Sequence, residues 1–378
     1  MDKSKTNMKE TSSLLQETVQ QSTGVLQNQL KIIEREIKSL PKPEVYELNR
    51  RSTLQISAAV AVDAGQSLFG GILREMGIML LQVASSEDIE PKTYVFAINP
   101  ILKDVEKKKM IEEQLERLKD KDKIVKDFIT EMGWDKITQE GVMPPECYVQ
   151  ISPFGSFIRE LLEWTKLRET GIDLKEIHQK FPNIQPVLLR DGPLSFFNIK
   201  EHALGLSKIF KEIGIPLLGI SKTSTLLRNP LIIMWLKHHK IFNKEGPFMI
   251  KLPAEKFKEL GYSLSRYFGA YGEDPSMKFG TYIIVRFDPL PGSKNIFAVD
   301  VPHYYFNLED SFDNLLVILS GVAEHSTATS YPIPGYPYAL RKAHERVVFT
   351  KDKVYLLENT LRRSLPPDVY DMLKTLEI

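Results

Sequence analysis

Apolar residues fall into two patterns along this chain, and each predicts a different element. Between residues 8 and 40, Leu15, Val19, Ser22, Leu26, Leu30, Ile33, Ile37 and Leu40 return every three or four positions on a Gln-, Glu- and Lys-rich background. That rhythm predicts a helix with a single apolar seam, stopped by Pro41 and Pro43. A seam of this length must be buried, either on its own domain or on a partner subunit. Residues 54–63, 70–83 and 92–98 are instead nearly unbroken apolar runs joined by short polar or glycine-bearing turns, which predicts three successive strands. The charged segment Leu102 to Gly133 carries Ile111, Leu115, Leu118, Ile124 and Phe128 at helical spacing, the pattern of a helical hairpin with a solvated face. Residues 156–169 predict a helix with Phe157, Ile158, Leu161, Leu162 and Leu167 on its apolar side. A strand at Val187–Leu189, a helix over 201–212 and a short strand from Pro216 to Ser221 follow.

The resulting order, β-β-β-α-β-α-β, is that of a three-strand meander continued by α/β units on the same sheet. It matches the ribonuclease H-like architecture, an α/β fold in which a mixed sheet is flanked by helices. No internal repeat and no long Gly/Ser linker divides the chain. The expected organisation is an N-terminal helical arm (1–41), one elaborated domain (45–350) carrying the charged insertion 102–133, and a C-terminal helical tail (351–378).

Composition narrows the function classes. At 378 residues and 42% hydrophobic content the chain can bury a sizeable core. Fifty basic residues against 49 acidic ones leave a net charge of +1, so any nucleic-acid binding must come from local patches. Cys147 is the only cysteine, which excludes an intramolecular disulfide and a cysteine-based zinc cage. The polar N-terminus has no signal-peptide core, and no apolar run approaches the ~18 residues of a membrane span. The expectation is a soluble, cytoplasmic protein.

Two apolar runs end in an acid near a glycine: Ala58 to Val62 before Asp63-Ala64-Gly65, and Val187-Leu188-Leu189-Arg190 before Asp191-Gly192-Pro193. Asp-Gly after a strand is ordinary turn chemistry. If the two strands are neighbours, however, both carboxylates project from one end of the sheet, where they repel unless a cation lies between them. A divalent-metal site is the first functional expectation. The helix between these strands can add a third acid, Glu163, with Glu160 in reserve; the alternative is an i,i+4 surface pair of Arg159 with Glu163. Gly219-Ile220-Ser221-Lys222-Thr223-Ser224 ends a strand in hydroxyls and an ammonium, which suits a phosphate contact at Lys222 but lacks the P-loop frame. His344, in the helix after a proline-stiffened loop, is either a packed core histidine or a ligand and proton shuttle. Lys256, Lys258, Tyr262, Arg266, Tyr267, Phe268 and Tyr271 interleave bases with aromatics, as in a single-strand stacking surface or an amphipathic core helix. His238-His239 reads as a surface basic cluster.

Taken in order, Ala61-Val62-Asp63, Arg159 to Glu163, Leu189-Arg190-Asp191-Gly192-Pro193-Leu194, Gly219-Ile220-Ser221-Lys222-Thr223 and Tyr336 through His344 resemble the NurA nuclease family over residues 45–350. The family's first motif usually reads Val-Asp-Gly-Ser, whereas here Ala64 separates Asp63 from Gly65. The resemblance implies a manganese-dependent DNA nuclease, with 5′-to-3′ exonuclease and single-strand endonuclease activity on strands and duplex ends. It further implies a homodimer that works with a hexameric HerA-type ATPase translocase in end resection for recombinational repair. Carried onto this chain, Asp63, Glu163 and Asp191 would bind manganese, with two ions expected and magnesium as the alternative, and His344 would complete the metal site or handle protons. Tyr336 helps to position the substrate, and Lys222 and Arg190 are assigned to its backbone. The competing expectation is a ribonuclease H-like clamp or translocase-binding scaffold that does not cut.

Overall fold

The computed structural model describes residues 30–48, 56–68, 77–197, 199–222, 224, 226–259, 280–288, 295–305, 309–326, 333–364 and 366–368, with a few isolated positions beyond them. Its centre is a nine-stranded sheet in the order β1-β7-β8-β9-β6-β5-β2-β3-β4. The strands are β1 (Val45–Glu47), β2 (Ile56–Leu68), β3 (Ile78–Ser85), β4 (Lys92–Ala97), β5 (Ile184–Asp191), β6 (Leu217–Ser221), β7 (Phe248–Ile250), β8 (Gly280–Arg286) and β9 (Phe297–Pro302). The meander β2-β3-β4 is antiparallel, while β5 runs parallel to β2 and β6 parallel to β5. These directions and this order make the ribonuclease H-like sheet that the sequence predicts.

Four strands lie outside that expectation. β9 pairs antiparallel with β6, and β8, β7 and β1 extend the sheet from it. Every residue of β8 and β9 is buried, so neither strand shows the alternation that marks a half-buried one.

Helices cover both faces. Residues 30–39 (α1) are followed by α2 (Asp104–Lys121), α3 (Lys123–Glu131), α4 (Ile151–Lys180), α5 (Lys200–Ile213), α6 (Pro230–His238), α7 (Ala254–Glu259), α8 (Glu309–Glu324), α9 (Tyr338–Val347) and α10 (Lys351–Ser364). Val62 and Leu188 point into one core with Phe157, Leu161 and Trp164 of α4. Ala61 and Leu189, their strand neighbours, point into the opposite core with Leu319 of α8 and Leu340 and Ala343 of α9. A third cluster joins Ile37 and Leu40 to Trp235 of α6, and the Trp235 indole N–H donates to the Pro41 carbonyl at 2.9 Å. The end of the N-terminal seam is therefore packed on the chain's own core. Its earlier positions, Leu15, Val19, Ser22 and Leu26, lie outside the described residues, as do Tyr262, Arg266, Tyr267, Phe268 and Tyr271.

The α4 helix spans 30 residues, well beyond the 156–169 expected. Pro153 falls in its first turn, where no intrahelical N–H is lost. The hairpin of α2 and α3 forms as expected, and the Asp122 side chain caps α3 by accepting from Ile124 and Val125. Among the described residues, no helix is long and apolar enough to cross a membrane.

Candidate metal centre

Register sets the centre. In the parallel pairing of β2 and β5, Val62 stands opposite Arg190, so the next residues, Asp63 and Asp191, leave the sheet abreast. Side chains alternate along a strand, and both acids therefore face the side of Ala61 and Leu189, where α9 packs. Asp63 does not end its strand, contrary to the turn expected at Gly65. β2 runs on to Leu68, paired with β3 alone, and Gly65 has another purpose. A Cβ there would stand 2.3 Å from the Val347 carbonyl oxygen. Gly65 thus lets the end of α9 lie against the strand, and this seats His344 over Asp63.

The His344 Nδ1 is 2.7 Å from Asp63 Oδ2. The second Asp63 oxygen accepts the Ala64 N–H at 2.7 Å. The hydrogen bond to Asp63 raises the His344 pKa above its ordinary value, against the opposing pull of partial burial. Asp63, Asp191 and His344 each offer a ligand atom within 4.8 Å of the others. Two carboxylates and an imidazole are a fitting donor set for manganese or a similar divalent ion. The Lys222 ammonium stands 2.8 Å from Asp191 Oδ2 and 4.5 Å from the centre of the Tyr336 ring. The Tyr336 hydroxyl is buried beside Asp191 without a well-formed hydrogen bond. Burial first, and the Asp191 charge second, hold its pKa far above the ordinary phenol value, so it stays protonated. Asp63, Asp191, Lys222 and His344 line a cleft of about 600 Å³ whose further walls include Gln66, Ser67, Arg159, Gly192 and Pro193.

Glu163 is placed behind this cluster, not within it. It is 1% exposed and paired with Arg190: Nη2 donates to Oε2 at 3.1 Å, and Nε is 3.1 Å from Oε1. Burial pushes its carboxyl up to about 7, with Arg190 pulling the other way. Arg190, expected at the substrate, is itself 3% exposed. Alternation turns it away from Asp191 and onto α4, where it lies over the Trp164 ring at 4.6 Å and donates to the Pro193 carbonyl. Glu160 accepts the Phe197 N–H at 2.9 Å and so braces the loop after β5.

Two features of the centre are not among the sequence expectations. Asp300, fully buried on β9, accepts the Leu194 N–H at 2.8 Å. Opposite Asp300, Gly219 leaves room for the same turn, since a Cβ there would meet the Gly192 carbonyl oxygen at 2.4 Å. The available signal was an acid inside the apolar run Phe297-Ala298-Val299-Asp300-Val301. The second feature is Gly65, whose close contact involves a helix almost three hundred residues away.

No protein-family model and no curated protein matches the chain. Solved structures do. The NurA nuclease from Sulfolobus solfataricus is 16% identical, with 90% of this chain and 96% of that one covered at a TM-score of 0.39. The chain is similar to NurA nucleases. A NurA structure with manganese is 13% identical, covering 93% and 99% of the two chains at a TM-score of 0.34. The catalytic domain of human Endonuclease V is 13% identical, covering 88% and 98% at 0.30. NurA, the family that the motifs resemble, is thus among the structural neighbours.

Proposed function

We propose that this chain is a metal-dependent nuclease that hydrolyses DNA phosphodiester bonds in the cleft between β2, β5 and α9. The observation that carries this reading is the convergence of Asp63, Asp191 and His344 within 4.8 Å at the floor of an open, cation-lined cleft. Asp63, Asp191 and His344 would hold one divalent ion, which when bound supplies Lewis-acid stabilisation of phosphoryl charge and a more acidic water. A second ion would need a further carboxylate, and Glu163 is engaged with Arg190.

The protein's own groups divide the remaining work. Asp63 fixes the His344 ring through Nδ1, leaving Nε2 to accept a proton or a ligand bond. Tyr336 stays protonated beside Asp191 and supports Lys222 with its ring. Lys222, released from Asp191, would neutralise a flanking phosphate. Glu163, Arg190, Glu160 and Asp300 hold the turn that carries Asp191. The choice of DNA and of manganese rests on the motif resemblance. So do 5′-to-3′ exonuclease and single-strand endonuclease action, a homodimer, and a HerA-type translocase partner in end resection.

The test is degradation of end-labelled single-stranded DNA by the purified full-length chain with manganese. Cleavage that stops with chelator and is absent from Asp63→Asn and Asp191→Asn is expected. A wild-type rate in either variant would sink the assignment of the centre.

A further inference from the structure

The cleft is lined by three basic side chains, Arg159, Lys222 and His344, and they differ in what holds them. Lys222 is tied to Asp191 and His344 to Asp63. Arg159 makes no hydrogen bond and no ion pair within contact distance among the described residues. It is half-buried on α4, one helical turn before Glu163. Of the two acids beside it on the helix, Glu163 is paired with Arg190 and feels Arg159 only through space, and Glu160 is turned toward the Phe197 N–H. The sequence reading of Arg159 as the surface partner of Glu163 is therefore not what the fold builds.

We propose that Arg159 is the standing phosphate-binding residue of this cleft, gripping a backbone phosphate of a single DNA strand next to the one at the metal centre. This rests on the nuclease reading above and adds a specific residue to it. A guanidinium is planar, permanently charged and weakly hydrated, and it meets two phosphate oxygens with parallel N–H groups. Arg159 opens onto the same cleft as Asp63 and Asp191 but stands on α4, whereas His344 reaches it from α9. A strand crossing the centre would then meet a cation from each helical layer. Because Arg159 has no ion pair among the described residues to break, it can engage the strand before any metal binds. Lys222 must first exchange Asp191 for a phosphate.

The test is fluorescence anisotropy with labelled single-stranded DNA and the full-length protein, in chelator so that nothing is cut, at several salt concentrations. Arg159→Ala is expected to weaken binding about three- to tenfold and to lower the slope of log Kd against log salt by about 0.7. Arg159→Lys should restore the slope and part of the affinity, since it keeps the charge and loses the fork. Manganese affinity, measured by calorimetry, should be unchanged in both, and equal melting temperatures would confirm the fold. If the wild type binds DNA and Arg159→Ala keeps its affinity and salt slope, the role of Arg159 is overturned and the nuclease reading stands. A wild type that neither binds DNA in chelator nor cuts it with manganese overturns both. Arg159→Lys behaving like Arg159→Ala would also count against a phosphate contact.

Discussion

Asp63 and His344 are 281 positions apart in the chain and 2.7 Å apart in the fold. A glycine two residues beyond Asp63 brings them together, because α9 closes onto β2 only where Gly65 leaves space under the Val347 carbonyl. Gly65→Ala should therefore lift α9 away without removing any ligand. The expected result is a manganese affinity at least several-fold weaker, with about 1–3 kcal/mol of stability lost to overpacking. Calorimetry and thermal melting read the two effects. An Ala variant with unchanged metal affinity would mean that the Asp63–His344 contact is set elsewhere.

Lys222 pairs with Asp191 Oδ2 at 2.8 Å, so its ammonium would compete with a cation held by Asp191. Lys222→Met removes that competitor, so manganese should bind more tightly, by up to about fivefold for a partly exposed pair. DNA cleavage should slow all the same, because the flanking phosphate loses its ammonium. Equal or weaker metal binding would show that the ion pair does not compete.

Glu163 and Glu160 sit on the same helix and should respond very differently. Glu163→Gln leaves the Arg190 guanidinium buried without its counter-charge, a break that typically costs about 3–5 kcal/mol. Its manganese affinity should change less than that of Asp63→Asn. Glu160→Gln should be mild, since an amide oxygen can still accept the Phe197 N–H. A stable Glu163→Gln protein that no longer binds metal would make Glu163 a ligand after all.

His202 supplies a pH dependence remote from the centre. It is fully buried between the rings of Trp134 and Phe196, with Nδ1 facing the Phe196 carbonyl at 3.3 Å and Nε2 without a partner among the described residues. Burial lowers its pKa to about 4. The unfolded chain binds the proton first, so stability is fully present above the unfolded pKa near 6.5. It is lost as pH falls toward 4, by on the order of 3 kcal/mol. His202→Phe should flatten that part of the stability curve in denaturant titrations at pH 4 to 7. An unchanged curve would place the acid sensitivity on other groups.

The N-terminal arm can be divided by truncation. Deleting residues 1–41 removes Ile37, Leu40 and the Pro41 carbonyl that receives the Trp235 N–H. The melting temperature should fall, with each buried side chain contributing on the order of 1.5–3 kcal/mol. Deleting only residues 1–29 keeps all of these contacts. Light scattering on the shorter deletion then reports whether Leu15, Val19 and Leu26 serve assembly. A 1–41 deletion that melts like the full chain would exclude packing of the arm on this core.

Much of this architecture was legible in the amino-acid order. The apolar runs of β2, β5 and β6, the helical spacing in α4 and the acids closing two runs are local signals, and they led to the ribonuclease H-like sheet and to Asp63 and Asp191. His344 was a candidate through the resemblance, while its place on the packed side of a helix made a core role the commoner reading. Other features depended on partners distant in sequence. Register decided that Asp63 and Asp191 share a face while Arg190 turns to the other, because a shift of one residue reverses every side chain. The position of α4 against β5 decided that Glu163 meets Arg190 instead of the cleft, and that Arg159 forms no ion pair among the described residues. Strand β9 contributed an acid that grips the Asp191 turn, although its fully buried run carried no alternation to announce a strand. Local spacing encodes which elements form, since propensity and burial act over a few residues. Which charges neutralise one another is settled only when the layers close, because Coulomb and hydrogen-bond energies depend on separations in space.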